Sequence, residues 1–223
     1  AGKNPPASGF DMKSDPKAME LADRSMDAMG GREAWDRVRT IGWTIFKRNH
    51  VWDKMTGDYR LEADTVVVIM NIQTKKGRVW SKGKEITDAA TRDQWLSDGM
   101  SIWINDSYWL LMPYKLKDTG VTLRYVGEQK TQDGRDAEAI QLTFANVGDT
   151  PENKYLVWID RESGMVTQWA YFAKAADPEP KFTLPWTKWT AFDGIKIALG
   201  HGKFDVANVR VSSSADKTAF AAP

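Results

Sequence analysis

The residues that could carry catalysis are few and widely separated in this sequence. Its two histidines, His50 and His201, lie in or near separate predicted strands without a companion at metal-ligand spacing, and there is no cysteine. No Gly-x-Ser-x-Gly turn presents a serine nucleophile. Asp160 and Glu162 flank a predicted hairpin turn, where acidic residues are common for turn geometry alone. The sequence therefore predicts no catalytic site, no metal site and no cofactor.

What remains is apolar and aromatic surface. The chain has 11 Trp among 223 residues, and residues 103–116 concentrate aromatic and aliphatic side chains without strand alternation. Residues 107–112 are predicted to form a helical turn or two that Pro113 stops. An aromatic helical segment of this kind needs an apolar surface to lie on, and we interpret that surface as a candidate binding cavity. The alternative is a tryptophan-rich core without a cavity.

Charge and hydropathy exclude some classes of protein. Lys and Arg number 31 against 30 Asp and Glu, and no basic block stands out, which argues against nucleic-acid binding. No run of eighteen apolar residues is present, so no transmembrane segment is predicted. The absence of cysteine excludes disulfides and leaves the compartment open.

The N-terminal third begins with helices. Residues 1–14 are rich in proline and glycine and are predicted to be a flexible tether. Asp15 and Pro16 predict a helix start, and Gly30-Gly31 predicts its end, with an apolar face of Met19, Ala22, Met26 and Met29. Residues 32–38 predict a second, short helix.

The remainder predicts antiparallel strands, interrupted by one helical insertion. Alternation and turn signals place strands at 40–52, 59–64, 66–72, 77–82, 121–130, 135–145, 155–160, 165–173, 181–192, 195–203 and 206–213. Residues 89 to about 103 predict a helix with a break at Gly99, followed by the aromatic stretch described above.

These elements predict a mainly β fold with α-helices, of the α+β class. A large curved antiparallel sheet would form an open half-barrel. The N-terminal helices and the helical insertion after the fourth strand, a lid, would cover its concave face. We expect a single domain over residues 15–213, preceded by the tether and followed by a tail at residues 214–223.

The predicted cavity has two walls. The sheet would contribute Trp43, Tyr59, Leu61, Val68 and Met70. The lid would contribute Trp95, Trp103, Trp109, Leu111 and Met112. Burial of apolar ligand surface, at roughly 25 cal/mol per Å2, would supply most of the affinity.

Four short segments carry a resemblance to a known group of proteins. They are residues 28–35 (Ala-Met-Gly-Gly-Arg-Glu-Ala-Trp), 57–62 (Gly-Asp-Tyr-Arg-Leu-Glu), 155–166 (Tyr-Leu-Val-Trp-Ile-Asp-Arg-Glu-Ser-Gly-Met-Val) and 192–197 (Phe-Asp-Gly-Ile-Lys-Ile). Together with the order of elements over about residues 15–212, they resemble the bacterial lipoprotein-carrier superfamily. That group includes LolA, LolB, LppX-like lipid carriers and the sensor domain of RseB, and the chain resembles an uncharacterised branch of it.

The resemblance implies an open half-barrel covered by helices, a hydrophobic cavity and the binding of acyl chains in the bacterial periplasm. One departure concerns the lid. LolA-like carriers place an Arg-Pro pair just before the second strand, and that arginine helps to latch the lid. Here residues 52–57 contain Lys54 as the only cation and no proline. Because a lysine is a point charge and not a planar fork, this region departs from the latch of that family.

We therefore predict a non-enzymatic, monomeric, periplasmic carrier that binds the acyl chains of a lipid or lipoprotein. The tether also permits a lipoprotein whose acylated cysteine lay just upstream. One alternative is an envelope sensor or interaction module that binds a protein partner. Another is an enzyme whose residues meet only in space, for example as a His–Asp pair inside the pocket.

Overall fold

The computed structural model describes residues 3–145 and 148–223, and this part of the chain is mainly β. Its helical elements are α1 (Pro16–Ala28), α2 (Arg32–Arg37), α3 (Ala89–Leu111) and a 3-10 turn (Met112–Lys115). Its strands are β1 (Thr40–Ile45), β2 (Arg48–Asp53), β3 (Asp58–Ala63), β4 (Val66–Asn71), β5 (Gly77–Ser81), β6 (Lys84–Glu85), β7 (Val121–Lys130), β8 (Asp136–Phe144), β9 (Lys154–Asp160), β10 (Val166–Phe172), β11 (Phe182–Pro185), β12 (Thr187–Phe192), β13 (Ile195–Gly200) and β14 (Ala207–Ser212).

The strands form large antiparallel sheets that do not close into a barrel. A seven-stranded sheet has the order β14-β1-β2-β3-β4-β5-β6, a five-stranded sheet has the order β11-β10-β9-β8-β7, and β12 pairs with β13. The mainly β, antiparallel architecture predicted from the sequence is thus confirmed. The one continuous sheet that we expected is divided into these three.

The number of strands also differs from the prediction, first at Phe46 and Lys47. The sequence predicted a single strand over residues 40–52, whereas β1 and β2 are two strands of a hairpin with Ile45 opposite Arg48. Phe46 and Lys47 adopt φ values of 50° and 60°, as a two-residue turn of type I′ requires. Neither residue is the glycine, asparagine or aspartate that signals such a turn, so the prediction was wrong. This split and the unpredicted strand β6 mean that α3 follows six strands and not four.

A second split falls within the predicted strand 181–192. Phe182–Pro185 pairs with β10, and Thr187–Phe192 pairs with β13. Trp186, between them, is fully buried, and its backbone N–H donates to the carbonyl of Thr167 at 2.8 Å. The chain therefore leaves one sheet at this tryptophan and joins another, which strand alternation alone does not reveal.

The segments at both ends of the chain pack against the body. In the predicted tether, Ala1 and Gly2 lie outside the described residues, but Phe10 is buried and the backbone N–H of Asp11 donates to Val121 at 3.1 Å. In the predicted tail, the carbonyl of Ala221 accepts from Arg60 of β3 at 2.9 Å. Residues 3–14 therefore continue the packed structure.

The start of α1 is fastened to the five-stranded sheet. Asp15 makes no side-chain cap to the helix, contrary to the expected capping role. Its carboxylate accepts instead from the backbone N–H of Tyr125 at 2.9 Å and from Arg124 at 3.0 Å. On the predicted apolar face, Ala22 and Met29 are buried. The negative charge thus connects α1 to β7.

Helix α3 runs for 23 residues without the predicted break at Gly99. Gly99 is buried where the helix meets β4, and a Cβ there would lie 3.3 Å from Val68 Cγ1 and 3.4 Å from Met70 Sδ. The glycine costs helix propensity but allows close packing on the sheet. The prediction of a break was therefore wrong because tertiary contact overrides local propensity.

We expect Gly99→Val to lower the free energy of unfolding by about 1–3 kcal/mol, because added methyl groups would overpack this contact. Ser97→Val places the same side chain on the exposed face of α3 and should change stability by no more than about 0.5 kcal/mol. Urea denaturation followed by circular dichroism measures both. Equal stability of the two variants would contradict the close approach at Gly99.

Candidate functional site

A cavity of about 720 Å3 lies between α3 and the five-stranded sheet. Its helical wall comes from the second half of α3, including Trp103, Ile104, Tyr108 and Trp109. Its sheet wall is mainly aromatic and consists of Phe144, Tyr155, Trp169, Tyr171 and Phe182. This volume falls in the range of small-molecule sites, about 300–1,000 Å3.

The aromatic wall follows from the strand register. Tyr171 of β10 lies opposite both Tyr155 of β9 and Phe182 of β11, so three aromatic residues form one row across adjacent strands. Trp169, two residues before Tyr171, points to the same face because side chains alternate along a strand. Its ring stacks on Tyr155 at a centroid distance of 5.3 Å, and Trp109 of α3 meets it edge-on at 4.9 Å.

The charged groups of the cavity lining are Lys115, Asp118 and Asp149. Lys115 Nζ lies 2.8 Å from Asp118 Oδ2. Burial raises the pKa of Tyr108 well above its ordinary value, and it also raises the pKa of Tyr155. Both phenols are therefore neutral at physiological pH, and the carboxylates leave the lining with one net negative charge.

The residues predicted to line the cavity are distributed as follows. Trp103 and Trp109 line it. The others that are buried lie in the main core, and these are Trp43, Tyr59, Leu61, Val68, Met70, Leu111 and Met112. Trp95 is half-buried and lies outside the lining. Whether these residues contact a ligand stays a prediction, but the cavity faces the five-stranded sheet, β7–β11, and not β1–β4.

The sequence analysis did not select the aromatic wall. Its signal was present as the i, i+2 pair Trp169 and Tyr171 in one strand and as Tyr155 in the preceding strand of the same hairpin. Assigning these residues to a cavity required knowing which sheet α3 covers. That information is tertiary.

A second set of polar residues joins α3 to the seven-stranded sheet. Arg48 of β2 forms a bidentate pair with Asp106 of α3, with Nε–Oδ2 at 2.7 Å and Nη2–Oδ1 at 2.8 Å. His50 Nε2 also approaches Asp106 Oδ2 to 3.0 Å, and both side chains are fully buried. On its other side, His50 Nδ1 lies 2.8 Å from the hydroxyl of Tyr59, and its ring stacks on Trp43 at 4.5 Å.

The protonation states of this network follow from burial and pairing. Burial lowers the pKa of His50, against the opposing effect of Asp106, so the imidazole is neutral. Burial alone would raise the pKa of Asp106, but the groups of His50 and Arg48 outweigh it, so the carboxyl is held ionised. Burial also raises the pKa of Tyr59, which stays a phenol that can donate to Nδ1.

This network bears on two expectations from the sequence. A His–Asp pair does form, but neither residue belongs to the cavity lining, so a ligand in the cavity does not reach it. An arginine fork also joins the sheet to the helix, but it is Arg48 at the start of β2 and not a residue of the 52–57 segment. Both contacts connect β2 with α3.

His201 is fully buried, next to Trp186 and next to Trp109, which lines the cavity. Its ring is 4.1 Å from that of Trp186 and 6.1 Å from that of Trp109, between centroids. Burial lowers its pKa to about 4, despite the nearby Asp205, which accepts from the backbone N–H of His201 at 2.9 Å. The neutral imidazole is therefore part of the aromatic packing.

The described part of the chain offers no metal site and no membrane-spanning helix. The described residues contain no group of three or more histidine, cysteine, aspartate or glutamate side chains that could hold a metal ion. Within residues 3–145 and 148–223, no helix is long and apolar enough to cross a membrane.

Comparison with solved structures identifies proteins of similar architecture. A DUF1329 family protein from Desulfovibrio piger has a TM-score of 0.48 at 13% identity, over 93% of this chain and 98% of that one. An outer membrane lipoprotein-sorting protein domain from Vibrio parahaemolyticus, so described, gives 0.46 at 9% identity, over 92% and 96%. A LolA superfamily protein from Nitrosomonas europaea gives 0.32 at 9% identity, over 90% and 96%.

Two of these structures are described in terms of the lipoprotein-carrier group that the sequence resembles. At these identities the likeness is one of fold alone. No protein-family model and no curated protein matches the chain.

Removing Asp106 tests the connection between β2 and α3. Asp106→Ala leaves Arg48 and His50 without their buried partner and should lower the free energy of unfolding by about 3 kcal/mol. Asp98→Ala makes the same change at a half-buried position of the same helix and should cost about 0.5 kcal/mol or less. Urea denaturation measures the free energy of unfolding of both variants. Similar losses in the two would show that the network contributes little to stability.

The low pKa of His201 predicts an acid-dependent loss of stability. Since the unfolded chain binds this proton near pH 6.5 and the folded chain only near pH 4, stability falls as pH drops between these values. The full loss corresponds to about 3 kcal/mol at 1.36 kcal/mol for each pKa unit. Denaturation of wild type and His201→Phe at pH 7 and pH 4.5 measures it, and an unchanged pH dependence in the variant would contradict the assignment. Burial also lowers the pKa of His50, which adds to the loss in the same direction.

Proposed function

We propose that this protein is a non-enzymatic binding or carrier protein for an apolar ligand, the acyl chains of a lipid or lipoprotein. The observation that carries the proposal is the aromatic cavity of about 720 Å3 between α3 and the five-stranded sheet. Several of its lining residues are only half-buried, including Trp103, Tyr155 and Phe182, so apolar surface is available to a ligand. We further propose a periplasmic or envelope-anchored location.

The energetic argument rests on how this surface differs from a filled core. The core residues under α3, such as Tyr59, Leu61 and Val68, are 0% exposed and offer a ligand no surface. The cavity rings retain solvent-accessible area that an acyl chain would remove from water. Each buried methylene contributes about 0.8 kcal/mol, so even partial filling by a chain gives measurable affinity.

In this proposal α3 is the lid. Its C-terminal half supplies one wall of the cavity, and Asp106 in the same half is fixed to the sheet through Arg48. The face of the helix that holds Asp106 is therefore anchored, while Tyr108, two residues further on and so on the other side of the helix, lines the cavity. Binding requires no movement of the anchored face.

The alternative of an envelope sensor or interaction module lacks a specific supporting feature. The large hydrophobic residues exposed in the described part of the chain are Met12, Met55 and Val126. They lie on three different elements, namely the N-terminal segment, the β2–β3 turn and β7. We therefore retain only ligand binding as the proposed function.

The test is binding of 1-N-phenylnaphthylamine, an apolar probe whose fluorescence rises in apolar surroundings. Wild type should bind it, and Phe182→Glu should weaken binding at least about tenfold, because a carboxylate would be desolvated inside the cavity. Phe192→Glu is the matched control: it is also a half-buried phenylalanine on a strand but lies outside the lining, and its affinity should equal that of wild type.

Circular dichroism must show both variants folded. The absence of probe binding by wild type would contradict the proposed function. Native mass spectrometry of protein purified from a bacterial periplasm adds a direct search for a co-purifying lipid.

A further inference from the structure

One hydroxyl group in the wall of the cavity has no hydrogen-bond partner. Tyr108 lines the cavity, and its hydroxyl oxygen is buried without a partner among the described residues. We propose that this hydroxyl donates a hydrogen bond to a carbonyl oxygen of the ligand, so that the cavity selects an acyl ester or amide over an apolar molecule without an acceptor. This inference rests on the proposed function, because it specifies the ligand of the same cavity.

A buried hydroxyl without a partner is unfavourable, because it has lost its hydrogen bonds to water and has gained none from the protein. Native structures therefore pair nearly all such groups with protein, water or a ligand. Burial also raises the pKa of Tyr108 well above its ordinary value, so the phenol keeps its proton. The group is thus a neutral donor that lacks an acceptor.

Other tyrosines show that this fold usually pairs a phenol. The hydroxyl has a partner in four of them, namely Tyr59, Tyr114, Tyr125 and Tyr171. Tyr171 is the most informative, because it also lines the cavity and its hydroxyl lies 3.4 Å from Asn153 Oδ1. A position in the cavity wall therefore does not by itself leave a hydroxyl unpaired. Tyr108 is an exception.

The indole N–H groups do not discriminate in this way. Trp103 and Trp169 line the cavity, and the N–H group of each is buried without a partner in the described part of the chain. The same holds for Trp43 and Trp186, which lie in the closed core. An unpaired indole is thus found inside and outside the cavity wall. Among the described tyrosines, only the hydroxyl of Tyr108 is buried and unpaired.

The surroundings of Tyr108 are aromatic rings that line the same cavity. Between centroids, its ring is 5.2 Å from Tyr155, 6.2 Å from Trp169 and 6.4 Å from Phe144. The hydroxyl is shielded from solvent, so a ligand has to shift one of these rings to bring an acceptor to it. A carbonyl oxygen suits this position, because it accepts a hydrogen bond without carrying a charge into an apolar site.

The experiment measures how the full chain exchanges one bound molecule for another. The fluorescent probe 1-N-phenylnaphthylamine has no oxygen, and it is displaced by methyl laurate, an ester, or by N-methyllauramide, an amide. Tyr108→Phe should lower the affinity for the ester or the amide, relative to that for the probe, by about fivefold, because one hydrogen bond is lost. The compound that shows the larger loss distinguishes an ester from an amide as the natural acceptor.

Tyr125→Phe is the matched control. It also removes one hydroxyl from a half-buried tyrosine, but Tyr125 lies on β7 outside the lining, and its hydroxyl is paired with Glu138 at 3.3 Å. Its affinities for the ester and the amide, relative to that for the probe, should equal those of wild type.

The stability of the lipid-free protein gives a second readout. Because the hydroxyl of Tyr108 has no partner in the described part of the chain, Tyr108→Phe should leave the midpoint of urea denaturation unchanged or raise it. A lower midpoint would show that the hydroxyl already has an acceptor in the folded protein, such as a buried water molecule, and would overturn the inference.

The outcomes separate this inference from the proposed function. An unchanged relative affinity in Tyr108→Phe would overturn the inference alone. So would a wild-type protein that binds 1-N-phenylnaphthylamine but releases it to neither the ester nor the amide. Failure of wild type to bind the probe would overturn the proposed function.

Discussion

The bidentate pair between Arg48 and Asp106 is the constraint on which the arrangement of the site depends. A charged aspartate in the middle of a buried helical face is costly unless its oxygens are paired, and here both oxygens accept from one planar guanidinium. Because Arg48 begins β2 and Asp106 lies in α3, the pair fixes the rotation of the helix about its own axis. That rotation decides which aromatic residues face the five-stranded sheet.

Gly99 and His50 also contribute to the position of α3 on the seven-stranded sheet. Gly99, two turns before Asp106, allows α3 to lie directly on Val68 and Met70. His50 fills the space under Asp106 and is itself held between Trp43 and Tyr59. Near Gly99, α3 can lie close to the sheet because the residue has no side chain. Near Asp106, its position is set by hydrogen-bonded polar groups inside an apolar core. Neither would position the helix alone.

The sequence predicted the classes of element well because periodicity is local. The hairpin of β7 and β8 and that of β9 and β10 have clear turn residues and alternation, and both are confirmed. The β1–β2 turn was missed because Phe46 and Lys47 adopt positive φ without a glycine. The helix across Gly99 was missed because its stability comes from contact with β4. Local rules fail where a neighbouring element supplies the energy.

The sequence predicted an apolar cavity beside the aromatic helical segment, but it did not predict which strands form the opposite wall. Trp103 and Trp109 were recognised because the aromatic stretch is dense in sequence, and both line the cavity. The opposite wall was assigned to residues that lie in β1, β3 and β4. The row of Tyr155, Tyr171 and Phe182 depends on pairing between strands that are far from α3 in sequence. Similarly, the proximity of Arg48, His50 and Asp106 has no signal in their spacing.

The N-terminal segment has a consequence for how other chains can approach the molecule. The backbone N–H groups of Asp11 and Asp15 donate to the carbonyls of Val121 and Leu123, and Asp15 also accepts from the N–H of Tyr125. These contacts occupy the main-chain groups at the outer edge of β7, which is the last strand of its sheet. A covered edge does not add a further strand. The first half of β7 is thereby closed to β-augmentation by a peptide and to edge-to-edge aggregation with a second copy of the chain.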